Sequence, residues 1–181
     1  MMQKADKDTK INATFLLRLK AFLIDYLLIF IYLVFLVILS LFLSPSLQHI
    51  FQKSLIVAQF ASFLIVTLPI TIYFIICDSV LGGQSFGKRK VGIKTVDEKG
   101  NSITVLRAIF RNVIKFLPWE MSHYLVYRLV DIGDGEMPFR YYLIGGLIYT
   151  SIFTYILTAI FTKKKQSLYD IVAKTQVVKV S

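Results

Sequence analysis

A guanidinium and a carboxylate stand at the start of the first long apolar run, and a bilayer tolerates such groups only with a partner or with water. Arg18 precedes Asp25 by seven residues, two helical turns, so the two share a face but lie about 10.5 Å apart along the axis. A direct contact needs both side chains stretched, which makes a third group attractive. Asp170, after the last apolar run, returns at the right depth to accept a bidentate pair from Arg18. Asp25 is then left over in low dielectric, where it could take up and release a proton. Two chemistries are open: an ion or proton path through Arg18, Asp25 and Asp170, or a closed ion-pair cluster that locks the first helix to the last.

Other reactive types carry less. Lys115 and Glu120 are five apart and so on different helix faces, each expected to meet another helix or to snorkel; they are secondary candidates for an ion path. His49 and His123 are isolated, and no His, Cys, Asp or Glu spacing resembles a metal site. Cys77 has no second cysteine for a disulfide and reads as apolar filler. Ser44, Ser85 and Ser167 lack a nearby histidine, so no enzyme and no cofactor is expected. Residues 82–88 satisfy G-x-x-x-x-G-K, but Arg89 follows where a nucleotide loop needs Ser or Thr, and the stretch follows an apolar run instead of a strand.

These residues need membrane helices to hold them. The 181 residues are 56% hydrophobic with mean hydropathy +0.65, and the excess is clustered. Residues 21–43, 55–77 and 141–161 lack Lys, Arg and Glu and are long enough to cross a bilayer. The first is followed by Ser44-Pro45-Ser46, which offers no small-residue cleavage site, so it is expected to remain in the mature protein. The net charge of +10 asks how Lys and Arg divide between the two sides before it suggests nucleic acid, which is not expected as a partner.

That division predicts topology. Residues 1–20, 78–115 and 162–181 are rich in Lys and Arg, whereas 44–54 holds only Lys53. Both termini then lie in the cytoplasm, which demands an even number of crossings. The fourth can only be residues 104–130, a weak span with Arg107, Arg111 and Lys115 on one face. A 28-residue helix is about 42 Å long, so its first turns can lie in the headgroup layer while the rest crosses, kinked at Pro118. Four spans leave 18 of 21 basic residues inside, with Lys53, Arg128 and Arg140 outside beside an acidic loop at 131–138. Between spans two and three, residues 91–96 and 102–105 read as a small cytoplasmic hairpin. Gln84-Ser85-Phe86 with Lys94-Thr95-Val96 is echoed weakly by Gln166-Ser167-Leu168 with Lys174-Thr175-Gln176-Val177, as parallel membrane repeats would be.

Arg18, Asp25, the block Gly83-Gln84-Ser85-Phe86-Gly87-Lys88 with Gly92-Ile93, the residues Arg107, Arg111 and Asn112, and Ser167-Leu168-Tyr169-Asp170 with Thr175 together resemble the RDD family of bacterial membrane proteins. The resemblance runs from about residue 18 to 178. It implies that Arg18, Asp25 and Asp170 are the trio for which the family is named, and that transport is the activity, with cation/proton exchange in some members. Where members commonly carry His-Asp this chain has Tyr169-Asp170, which argues against a histidine relay there.

The expectation is an all-α protein of the cell membrane, with an N-terminal tail at 1–17, a domain at 18–178 and a short tail at 179–181. Its function reads as a small exchanger of monovalent cations and protons. Asp25 binds the ion or proton, Arg18 tunes it and Asp170 closes the cytoplasmic side, in a homo-oligomer because the chain is short. The alternative is a non-transporting adaptor that binds another membrane protein or anionic lipid through its basic face.

Overall fold

A computed structural model of the chain describes residues 11–42 and 54–180. Lys4, Lys7, Lys10, His49 and Lys53, and with them most of the link expected outside, lie outside the described residues. In chain order the elements are α1 (Phe15–Phe42), α2 (Leu55–Asp78), α3 (Phe86–Lys90), β1 (Ile93–Asp97), α4 (Val105–Ile132), α5 (Phe139–Phe161), α6 (Leu168–Val172) and β2 (Thr175–Lys179). Helices α1, α2 and α5 are long and apolar enough to cross a membrane, by length and composition.

Proline shapes two of the long helices, and tyrosine repairs both. Pro118 lacks the N–H that would reach the Ile114 carbonyl, yet α4 continues through it for 28 residues. The hydroxyl of Tyr155 on α5 donates to that carbonyl at 2.7 Å. In α2, Pro69 likewise frees the Ile65 carbonyl beside a π-helical turn at Phe63–Thr67, and the hydroxyl of Tyr32 on α1 donates to it at 2.5 Å.

The structure is mostly helical, and its sheet corrects the expected hairpin. β1 does not pair with residues 102–105; it runs antiparallel to β2, with Thr95 opposite Val177. The returning chain has other uses. Ile103 bridges Ser79 at the end of α2, and the Thr104 hydroxyl caps α4, so no length is left for a strand. Pairing with β2 instead buries Ile93, Val96, Val177 and Val178. Ala13, Ala21 and Leu17 pack beneath, tying the start of α1 to the sheet.

The weak echo is a structural repeat: its Gln84–Gln166 half keeps the expected register, and its strand half is shifted by two residues from the expected pairing of Lys94 with Lys174. Helix, capped short helix and strand recur 82 residues on: α2, α3, β1, then α5, α6, β2. The Gln84 side-chain amide donates to the Ile93 carbonyl at 2.9 Å, and Gln166 to that of Thr175 at 2.6 Å. Gly83 and Gly92, left-handed at φ 73° and 67°, recur as Lys165 and Lys174 at φ 53° and 52°. Lys174 thus matches Gly92, and Lys94 matches Gln176. Thr95 faces Val177, its own counterpart, so a local two-fold axis passes through the middle of the sheet.

Candidate functional site

The repeat brings the start of α1, the end of α2, the first turns of α4 and the whole of α6 to one end of the molecule. Charged side chains from all four, and Lys88 from α3, meet there. Asp170 sits in the first turn of α6, where it and Ser167 form a reciprocal cap. Its Oδ2 accepts from Arg18 Nη1 at 2.7 Å, and its Oδ1 accepts from Arg111 Nε at 2.9 Å and from the Thr175 hydroxyl at 3.2 Å. Arg111 then turns its Nη1 to Asp78 Oδ2 at 2.5 Å, while its guanidinium lies 5.0 Å from the Tyr169 ring centroid. Asp78 Oδ1 accepts from Lys88 Nζ and, at 3.1 Å, from the Thr95 hydroxyl. The result is a ladder of alternating charge, Arg18, Asp170, Arg111, Asp78, Lys88, whose middle three members are at most 2% exposed.

Burial by itself would neutralise such groups. Desolvation pushes the Asp170 carboxyl upward, but Arg111 and Arg18 outweigh it and hold it below the usual carboxylate range. Lys88 moves the other way: burial lowers its amine below the usual range against the pull of Asp78.

Asp25 does not join the ladder, which corrects the expected Arg18-Asp25-Asp170 cluster. Its Oδ2 accepts from the Ser85 hydroxyl at 2.5 Å, and its Oδ1 from the Gly87 N–H at 2.7 Å and the Tyr73 hydroxyl at 3.4 Å. The carboxylate thereby caps α3 from across the bundle. Glycine is required at position 87 because a Cβ there would run into the Ala21 carbonyl, so α1 and α3 touch backbone to backbone.

The remaining candidates scatter. Gly83 and Gln84 shape the turn into α3, Thr175 joins Asp170, and Asn112 donates to Asp78 at 3.4 Å. Arg107 stands at the surface, 4.0 Å from Asp97, a pair worth little. Lys115 Nζ lies 3.8 Å from the Phe74 ring centroid, and Glu120 accepts from the Thr67 hydroxyl at 2.8 Å, so each does face α2. Among the described residues no group of three His, Cys, Asp or Glu is placed to hold a metal.

Sequence reasoning missed Asp78, which closes the ladder. It sits one residue beyond the second apolar run, and an acid at a helix end with three cations following was the available signal. Tyr73 was missed as well, and Thr95 and Tyr169 were named within motifs without the contacts to Asp78 and Arg111 that they make.

No match was found among curated proteins or among solved structures. A model of the RDD family matches residues 12–174, a span that takes in every member of the ladder together with Asp25 and the first strand, and the chain therefore belongs to the RDD family.

Proposed function

We propose that this chain is a four-crossing protein of the cell membrane, both termini cytoplasmic, that binds anionic lipid and uses its ion ladder as a structural clamp. It is neither an enzyme nor a nucleic-acid binder in this reading. The topology is supported by where elements meet. α1 starts, α2 ends, α4 starts and α5 delivers α6 at the same ladder, so α4 must lead away from that end for α5 to return. Exposed Lys20, Arg89, Lys90, Lys163, Lys164 and Lys174 cluster in sequence around the same end, as a cytoplasmic face facing anionic headgroups requires. Lys88 is not part of that surface because Asp78 holds it.

The observation that carries the reading is that both oxygens of Asp25, Asp78 and Asp170 already have protein donors. Such carboxylates fix helices and leave no site for a travelling cation. The test is reconstitution. Vesicles containing the chain should show no more cation-driven proton flux than empty ones, and the purified chain should retain phosphatidylglycerol in preference to phosphatidylcholine. Cation-driven flux that disappears in Asp25→Asn at unchanged yield would overturn the proposal.

Exchange of monovalent cations for protons is supported at a different place. Thr67, in the π-helical turn of α2, donates to Glu120, and His123 Nδ1 lies 3.7 Å from the same carboxylate, about midway along both helices. Flux abolished by Glu120→Gln but not by Asp25→Asn would establish this reading, which calls for a homo-oligomer.

A further inference from the structure

An apolar groove on the open side of the bundle ends on guanidinium N–H groups that no described residue answers. α1 packs chiefly on α3 and stands apart from α4 and α5. The space between holds about 480 Å³, lined by Leu19, Phe22, Phe116, Trp119, Ile152 and Ile156 among others. That lies within the roughly 300–1,000 Å³ of small-molecule sites. The three walls span residues 15–22, 115–122 and 152–159, so each runs about 10 Å along its helix.

Arg18 and Lys115 line the groove and also line a smaller polar cavity beside the ladder. Arg18 gives Nη1 to Asp170, but its Nε and Nη2 are buried without a partner. Lys115 forms no ion pair with any described residue and rests on the Phe74 and Phe116 rings. Buried guanidinium N–H groups call for an acceptor.

We propose that the groove between α1, α4 and α5 is a binding site for one anionic phospholipid, its phosphate on Arg18 and Lys115 and an acyl chain along the apolar walls. Charge complementarity selects an anion, and the apolar walls select a lipid over a free phosphate. The inference rests on the lipid-binding reading above and gives it a location distinct from the exposed Arg89 and Lys90.

The test uses the full chain, stripped in neutral detergent and titrated with phosphatidylglycerol or phosphatidylcholine, with bound lipid read by native mass spectrometry and by thermal stabilisation. Lys115→Gln should weaken phosphatidylglycerol binding about tenfold, as loss of one charge-assisted contact does. Ala159→Phe, which fills the groove and leaves every charge in place, should weaken it too; because it does not touch the ladder, it keeps the test decisive if Lys115→Gln fails to fold. Retention unchanged in both variants but lost in Arg89→Gln/Lys90→Gln would overturn the groove and leave lipid binding standing on the surface. No preference for phosphatidylglycerol in the native chain would overturn both. A lipid-free dimer would show that a second copy covers the groove, and the proposal would fall.

Discussion

Asp170 accepts from two guanidinium groups and a hydroxyl in a site without solvent, so its anion is what the surroundings are built to hold. Its folded-state carboxyl titrates below the ordinary value of about 3.9, so it contributes stability above that pH and loses it as pH falls through the depressed value. Asp170→Asn leaves Arg111 and Arg18 short of a counter-charge. It should lower unfolding free energy by about 3–5 kcal/mol at neutral pH, measured by denaturant titration in detergent. The variant should also flatten the fall of the thermal midpoint below about pH 4. The Arg18–Asp170 pair could be anticipated because long-range ion pairing is the common fate of lone charges near a bilayer. The fate of Asp25 could not, because a main-chain N–H at Gly87 and hydroxyls at Ser85 and Tyr73 advertise nothing in their spacing.

Among the helices and strands, the two proline positions show how lateral packing is fixed without large polar groups. Tyr155→Phe removes the hydroxyl that donates to the Ile114 carbonyl and should cost about 1 kcal/mol in the same denaturant assay. In a Pro118→Ala background that cost should shrink, since the restored amide can serve the carbonyl, and a double-mutant cycle measures the difference. The repeat makes a second prediction. Lys174 holds the left-handed conformation that Gly92 holds in the first half, so Lys174→Gly should raise stability by about 1 kcal/mol, seen as a higher thermal midpoint. The three apolar helices were legible from run length and α4 from the parity of charge, whereas the short helices α3 and α6 were not. The strand partners were not: Ile93 to Asp97 alternates as a strand should, but pairing to a segment about 80 residues away is decided by which buried face it meets.

For the molecule as a whole, the ladder at one end implies that the turn between α4 and α5 lies at the other. With Cys77 replaced by Ala, a cysteine at Gly135→Cys should react with impermeant reagent from outside intact cells, and one at Lys164→Cys only after permeabilisation. The reverse pattern, or both on one side, would remove the four-crossing topology. Composition and run length alone were enough to identify three helices long and apolar enough to cross a membrane, because the transfer free energy of apolar residues is additive along the chain. The motif block and its partners were enough to name the family. Beyond the Arg18–Asp170 pair, which charges neutralise which was decided by folding: a buried ion pair depends on distances of a few ångströms between residues far apart in sequence. The repeat folded Asp78, absent from the expected trio, against Arg111 and drew Asp25 away to cap a helix.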